Sequence, residues 1–326
     1  MRLLSTLFLV VLVAGCGGET ETASPQSSGP GFPVTIEHKF GTTEIADAPK
    51  RVVAVGFNDQ DFALALGVKP VGVRQFQGGI DITRRPWAQD ELGGAKPQIV
   101  GAEELELEKI AALRPDLILG VYSGLNKSEY ATLSKIAPTV AQSSDYVDFG
   151  MPWEAQAETT SRALGRDEPG EKVVGSVEQQ FEDARKRHPE LDGSSFVLAA
   201  ASGGKAYVYG SQDLRSRFFT SLGLRVPAAV DKLAGDSFYA PVGEESMELL
   251  DQDVLVLYGT PDDVETLPLL RRADVVREGR VVYLDAKGDF ANAIGFSSPL
   301  SLPFALEHGV PRLVAALDGD PATKTD

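Results

Sequence analysis

The strongest amphipathic pattern in the chain lies near its middle, at residues 167–189 (DEPGEKVVGSVEQQFEDARKRHP). Apolar residues recur there on one helical stripe, and the other positions are charged or amide residues. The stripe consists of Val173, Val174, Val177, Phe181 and Ala184. Asp167 or Glu168 can cap the start, and the basic residues before Pro189 complement the helix dipole at the end. The pattern predicts one helix of roughly 30 Å, which is long enough to bridge two lobes.

The stretches on either side of this helix repeat a similar order of apolar runs. Residues 51–57 (RVVAVGF) lead to residues 65–73 (ALGVKPVGV), and residues 195–202 (SFVLAAAS) lead through a longer insertion to residues 217–227 (RFFTSLGLRVP). Short apolar runs that alternate with amphipathic stretches are typical of parallel strands connected by helices. The sequence therefore predicts an α/β protein of two lobes, each a mostly parallel sheet flanked by helices, joined by one long helix.

A second pair of segments is more closely alike. LEKIAALRPDLILG contains Glu108 and Asp116, and EESMELLDQDVLVLYG contains Glu245 and Asp253; in both, the glutamate stands eight residues before the aspartate. We interpret the pair as the trace of a duplicated lobe. The alternative is chance similarity between two helix-to-strand units, which every α/β protein contains.

The N-terminus carries a targeting signal. After Arg2 the chain is almost entirely apolar as far as Ala14, a run too short for a bilayer span, which needs about 20 residues. The run ends in Val-Ala-Gly-Cys, which resembles the lipobox of bacterial lipoproteins and marks Cys16 for lipidation. Cys16 is the only cysteine, so no disulfide can form within the chain. The alternative is an ordinary signal peptide with an incidental cysteine.

The segment after the cysteine has almost no apolar content (GGETETASPQSSGPGFP) and is predicted to be a flexible tether. The formal charge of −16 argues against nucleic-acid binding, which requires a basic surface. The predicted boundaries are 1–16 for the signal and lipidated cysteine, 17–33 for the tether, 34–166 for the N-terminal lobe, 167–189 for the interlobe helix and 194–318 for the C-terminal lobe.

Several segments in this order resemble the iron-siderophore substrate-binding lipoproteins of bacterial ABC importers. The matching segments are PKRVV, ALGVKPVGV, LEKIAALRPDLILG, LSKIAPTV, the amphipathic helix and FSSPLSLPFAL. The resemblance implies two α/β lobes joined by a rigid helix, a ligand in the cleft between them, and little closure on binding. It also implies a monomer, anchored to the cell membrane by lipid, that captures a ferric siderophore and delivers it to a permease dimer.

Motifs for catalysis are missing from the sequence. It contains no GxSxG nucleophile elbow, no GxxxxGK[ST] phosphate loop and no HExxH zinc motif. The three histidines, His38, His188 and His308, stand far apart, and we expect no resident metal, no cofactor and no catalytic residue. Two alternatives stay open: the same fold binding haem or another metal chelate, and an extracytoplasmic enzyme on an α/β scaffold.

Candidate ligand contacts follow from the rule that α/β sheets bind ligands at the carboxyl ends of their strands. Arginine suits the anionic oxygens of a ferric chelate, and flat aromatic rings offer contact area at a small cost in entropy. The candidates are Arg74, Tyr122, Arg84, Trp87, Tyr239, Tyr258 and Phe296. Arg74 and Tyr122 are expected on exposed loops at positions where the family often contributes ligand contacts. Ordinary packing is the alternative for Trp87 and for the candidates of the second lobe.

The paired glutamates have a possible second role. Glu108 and Glu245 each stand at the start of a predicted helix, where a carboxylate is favourable beside the helix dipole. In the family, matching glutamates project from the top of each lobe and meet arginines on the two permease subunits. The resemblance therefore implies that Glu108 and Glu245 are docking residues.

Overall fold

The computed structural model describes residues 31–75, 81–320 and 323. The predicted signal with Cys16, and nearly all of the tether, lie outside the described residues. None of the helices in the described part has the length and apolar content of a bilayer span.

The N-terminal lobe contains a hairpin and a parallel sheet. Its strands are β1 (Val34–His38), β2 (Gly41–Ile45), β3 (Val52–Ala54), β4 (Gly72–Val73), β5 (Gln98–Ile99), β6 (Leu117–Gly120) and β7 (Thr139–Ala141). Its helices are α1 (Asp59–Ala65), α2 (Gln89–Leu92), α3 (Leu107–Ala112), α4 (Lys127–Leu133) and α5 (Trp153–Ala163). Strands β1 and β2 form the hairpin, and the sheet has the order β5-β4-β3-β6-β7 with every pairing parallel.

A long helix, α6 (Asp167–Arg187), connects this lobe to the C-terminal lobe. The second lobe has the strands β8 (Phe196–Ser202), β9 (Lys205–Tyr209), β10 (Tyr239–Val242), β11 (Val254–Tyr258) and β12 (Val281–Leu284). Its helices are α7 (Leu214–Ser221), α8 (Ala228–Ala234), α9 (Pro261–Glu265), α10 (Asp274–Arg277), α11 (Asp289–Phe296) and α12 (Ser301–Leu317). The sheet order is β10-β9-β8-β11-β12; β8, β11 and β12 are parallel, and β9 and β10 add an antiparallel edge. The predicted fold class is confirmed.

Helix α6 forms where the amphipathic pattern predicts it, with Val177, Phe181 and Ala184 buried. The prediction of a side-chain cap is wrong. The residue at the cap position is Arg166, whose side chain accepts no hydrogen bond from the helix, and Asp167 and Glu168 lie inside the first turn. There they act through their charge on the helix dipole, together with three basic residues in the last turn.

The two lobes and the interlobe helix share one hydrophobic core. A single cluster of buried residues includes Trp87 from the first lobe, Val177 and Phe181 from α6, and Phe218 and Phe296 from the second lobe. The rings of Phe181 and Phe218 lie 5.7 Å apart, edge to face. Because the same side chains are buried by both lobes, separating the lobes would expose apolar surface, so the arrangement resists hinging.

The repeated aspartates occupy equivalent positions in the two sheets. Asp116, just before β6, accepts hydrogen bonds from the backbone N–H groups of Lys50 and Arg51 at the start of β3. Asp253, just before β11, accepts a bond from the N–H of Ser195 at the start of β8. In both lobes the two strands joined in this way are parallel neighbours. The shared geometry supports the duplication over chance similarity.

The first prediction concerns α6. Val177→Pro should lower the free energy of unfolding by about 3 kcal/mol or more beyond the cost of Val177→Ala, because proline removes a helical hydrogen bond and clashes with the preceding turn. The alanine variant controls for the lost side chain, and urea unfolding measures both. Equal stability of the two variants would contradict a structural role for the continuous helix.

Candidate functional site

The cleft between the lobes brings Tyr122 close to two charged residues of the opposite lobe. Tyr122 follows β6, and Asp213 and Arg215 stand at the start of α7. Burial raises the pKa of the Tyr122 hydroxyl, the Asp213 carboxylate raises this pKa further, and the Arg215 guanidinium lowers it. The three groups therefore lie within electrostatic range of one another across the interlobe space.

Aromatic rings and Arg74 form the wall on the N-terminal lobe. The Phe149 ring meets the Tyr122 ring edge-on at 5.2 Å and lies 6.2 Å from the Phe57 ring. The Arg74 guanidinium lies 4.3 Å from the centre of the Phe57 ring. Tyr122 and Phe149 are half-buried, so their rings can stack on a bulky organic ligand, whereas Phe57 and Arg74 are buried.

Arg74 is not on an exposed loop, and that expectation is wrong. Its side chain is largely buried, and it donates hydrogen bonds to the carbonyl oxygens of Ala102 at 2.7 Å, Glu103 at 2.6 Å and Ser123 at 3.3 Å. A buried guanidinium needs such acceptors to offset its desolvation. Arg74 therefore holds together the loops after β5 and β6 as well as flanking the cleft.

A buried aspartate positions Tyr122. Asp59, at the start of α1, accepts hydrogen bonds from the backbone N–H groups of Gly56, Val121 and Tyr122 at 3.0–3.1 Å. Burial raises the pKa of Asp59 to about 6, although these N–H groups and Arg74 oppose the shift. A Cβ atom on Gly56 would lie 2.2 Å from the Asp59 carboxylate, so only glycine fits there.

The C-terminal lobe contributes an arginine held by a carboxylate and two tyrosines. Nε and Nη2 of Arg215 donate to the two carboxylate oxygens of Asp213 at 2.8 and 2.7 Å. The guanidinium lies 4.0 Å from the ring centre of Tyr209 and 5.6 Å from that of Tyr258. Asp213 also caps α7 by accepting a hydrogen bond from the backbone N–H of Arg215. Neither Asp213 nor Arg215 is among the residues predicted from the sequence.

The predicted tyrosines Tyr258 and Tyr239 both belong to this wall. The Tyr258 hydroxyl donates to the carbonyl of Ala291 at 3.2 Å, and burial raises the pKa of Tyr258 to about 12. The Tyr239 side chain is 44% exposed, and its ring centre lies 6.4 Å from that of Tyr209 and 6.3 Å from that of Tyr207. Strands β9 and β10 thus present a tyrosine surface beside Arg215.

Trp87 and Phe296 are placed differently from the prediction. Phe296 has no exposed surface, and the Trp87 ring lies 5.6 Å from those of Phe296 and Phe304 inside the shared core. Neither side chain is available to a ligand in this structure, so their assignment to the ligand site is corrected to core packing. Arg84 lies on the surface, 83% exposed, with Asp81 at 3.8 Å.

Polar groups hold Trp87 in place where the two lobes meet, a contact region that we call the seam. The Asp61 carboxylate accepts hydrogen bonds from Nε1 of Trp87 and from the hydroxyl of Ser298, both at 2.9 Å. Nη2 of Arg85 lies 2.7 Å from the other Asp61 oxygen, and both side chains of this ion pair are buried. Asn58 adds a hydrogen bond of 2.8 Å to the carbonyl of Phe296. Asp61 and Asn58 belong to the first lobe, and Ser298 and Phe296 to the second, so the seam is bonded as well as packed.

The three histidines stay apart in the structure. His38 lies 2.9 Å from the hydroxyl of Thr43, His188 pairs with Glu190, and His308 stacks on a phenylalanine of α12. Within residues 31–75, 81–320 and 323, no group of three His, Cys, Asp or Glu side chains could hold a metal ion.

Glu108 and Glu245 are both exposed. Glu108 lies in the first turn of α3, and Glu245 in the first turn of the 3₁₀ helix Glu244–Leu250. Each helix leads to the amino end of an inner strand, β6 or β11. The helix therefore begins near the carboxyl ends of the strands, which is the side of the sheet that faces the cleft. The two carboxylates therefore occupy corresponding positions, one on each lobe.

The fold and cleft define a class of protein. Residues 53–287 match the family described as periplasmic binding protein, and the chain belongs to this family. A curated relative, the putative ABC transporter substrate-binding lipoprotein YhfQ of Bacillus subtilis, is 26% identical over 298 residues, which cover 87% of this chain and 89% of the relative. The family and its relatives are binding proteins rather than enzymes.

Two solved structures are similar over nearly the whole fold. PiaA of Streptococcus pneumoniae, crystallised with ferrichrome, has a TM-score of 0.78 and 27% identity, covering 88% of this chain and 99% of that one. A periplasmic solute binding protein of Mycobacterium smegmatis has a TM-score of 0.75 and 32% identity, covering 87% of this chain and 98% of that one.

Proposed function

We propose that this protein captures a ferric siderophore outside the cytoplasm and delivers it to the membrane permease of an ABC importer. The observation that carries the proposal is the cleft, where Tyr122 lies within electrostatic range of Arg215 of the opposite lobe and both walls contain aromatic rings. Guanidinium groups interact with the oxygens of a ferric chelate, and aromatic faces pack on its organic shell. The ferrichrome bound to PiaA, a protein of the same fold, supports this class of ligand.

The partners follow from the same proposal. The mature protein is a monomer anchored to the cell membrane through lipidated Cys16, and it has no catalytic activity and no cofactor of its own. Glu108 and Glu245 contact the two subunits of a permease dimer, one from each lobe. The name of YhfQ, an ABC transporter substrate-binding lipoprotein, supports the anchor and the transporter partner.

The haem alternative has no comparable support. The three histidines, which are common axial ligands of haem iron, stand apart in the structure, and His38 is buried against Thr43. The relatives described above do not favour haem either, because the ligand named for PiaA is ferrichrome.

Isothermal titration of the purified domain tests the function. The domain should bind at least one of ferrichrome, ferric citrate and a ferric tris-catecholate with a micromolar or tighter Kd. Tyr122→Ala should weaken that binding by about tenfold or more, because truncation of a central aromatic contact typically costs over 1 kcal/mol. Tyr130→Ala is the matched control: Tyr130 lies in the same lobe but stacks on Phe40 beside the hairpin. A domain that binds none of the three chelates would contradict the proposed function.

A further inference from the structure

The two arginines described above at the cleft, Arg74 and Arg215, are both engaged within the protein. Both carboxylate oxygens of Asp213 accept hydrogen bonds from Arg215, whose side chain is only 22% exposed. Arg74 is buried and donates to three backbone carbonyls. Neither guanidinium is free to be the sole counter-charge of an incoming anion, because each would have to give up internal partners.

The formal charges of these two arginines are balanced by two carboxylates near them. Arg74 and Arg215 contribute two positive charges, and Asp59 and Asp213 contribute two negative ones. Asp59 and Arg74 interact electrostatically, and the charge of Arg74 lowers the pKa of the Asp59 carboxyl against the larger effect of burial. The rest of the lining described above is aromatic. Beyond the cleft, the chain has a net charge of −16, which repels anions at long range.

The charge of a ferric chelate depends on its chelating groups. Three singly charged hydroxamates cancel the charge of iron(III), whereas three doubly charged catecholates leave three negative charges, and ferric citrate is anionic too. An anionic chelate packed against Arg215 would lose its hydration and would find a guanidinium whose charge the Asp213 carboxylate already balances. An uncharged chelate has a smaller desolvation cost and needs no counter-charge, and it can bury its organic shell against Tyr122, Tyr209, Tyr239 and Phe149.

We propose that the cleft selects ferric chelates without net charge, of the trihydroxamate class, and that Asp213 discriminates against anionic chelates. This inference rests on the proposed function, because it specifies which ferric siderophores the same cleft accepts. Asp213 acts through Arg215: the carboxylate balances the guanidinium charge and occupies two of its five N–H donors, so an anionic ligand gains less from this group.

The first test compares three probes on the unmodified domain at neutral pH. Ferrichrome should bind about 100-fold or more tighter than a ferric tris-catecholate or ferric citrate, because an uncompensated like charge in an interface costs several kcal/mol. Ferrichrome affinity should also be nearly independent of salt concentration. Tighter binding of the tris-catecholate or of ferric citrate would overturn this inference and leave the proposed function standing. Failure of all three probes to bind would overturn both.

The second test uses Asp213→Asn, which keeps the shape of the side chain and remains a good helix cap, so the domain should fold. The substitution releases Arg215 and should improve binding of the ferric tris-catecholate about tenfold or more while improving ferrichrome binding far less. Asp274→Asn is the matched control. Asp274 also pairs with an arginine, at 2.6 Å, but in α10 at the opposite edge of the sheet from the cleft. Unchanged selectivity in Asp213→Asn would contradict the assigned role of this carboxylate.

Discussion

Replacing both Glu108 and Glu245 by alanine should abolish uptake of the ferric siderophore by cells, while the purified double variant binds its ligand as tightly as the unmodified domain. Both carboxylates are exposed, and they occupy corresponding positions on the two lobes. A permease dimer that contacts both would be oriented by two separated charge interactions. Exposed ion pairs contribute only about 0 to 1 kcal/mol each, so loss of one should reduce uptake far less than loss of both.

The measurement is accumulation of radioactive iron from the loaded siderophore in cells that lack the native copy. A matched control replaces Glu171 and Glu178, two exposed glutamates of α6, and should transport normally. Immunoblots of the membrane fraction establish that all variants are present in equal amounts. Uptake by each single variant should depend less on salt concentration than uptake by the unmodified protein, because one of the two charge contacts is lost. Normal transport would show that the two carboxylates only stabilise the starts of their helices.

Asp61→Ala should lower the free energy of unfolding by about 3 to 5 kcal/mol, because it leaves the buried guanidinium of Arg85 without its counter-charge. It also removes the acceptor used by Trp87 of the first lobe and by Ser298 of the second. The loss should therefore come from the seam between the lobes rather than from one lobe alone. Urea unfolding monitored by tryptophan fluorescence measures it directly, since Trp87 is part of the seam.

Two further variants test whether the loss of stability comes from the uncompensated buried charge. Asp274→Ala breaks an aspartate–arginine pair of similar distance that is exposed, and should cost no more than about 1 kcal/mol. Adding Arg85→Met to Asp61→Ala should regain stability relative to Asp61→Ala alone, because no uncompensated charge remains buried. If Asp61→Ala costs no more than Asp274→Ala, the seam is held by packing alone.

Local patterns were sufficient to predict much of this fold. The period of the apolar stripe predicts α6, because a helix that packs on two lobes must bury one face along its length. The spacing of Glu108 to Asp116 and of Glu245 to Asp253 predicts a repeated unit, and the structure shows both aspartates bonded to the start of a neighbouring strand. Such patterns are local in sequence, so they can be predicted without knowing the tertiary structure.

The cleft was predictable only in part. The strand-end rule finds Arg74, Tyr122 and Tyr258, but it does not show that Arg74 is buried among carbonyl groups. Asp213 and Arg215 follow no strand directly; the signal that could have found them is the capping pattern at the start of α7. Trp87 and Phe296 look like contact residues in sequence, yet whether an aromatic ring faces a ligand or another lobe is decided by tertiary packing.

The shared seam also constrains how this chain can change over generations. Trp87 packs on Phe296 and Phe304, which follow it by more than two hundred positions. A change of volume on one side leaves a cavity or a clash on the other, and dense cores tolerate neither. A substitution on one side of the seam therefore requires a compensating one on the other, and a lobe exchanged with that of a relative would lose its packing partners. Tyr239 lies in the cleft and is 44% exposed, so a substitution there can change the ligand contacts and leave the seam as it is.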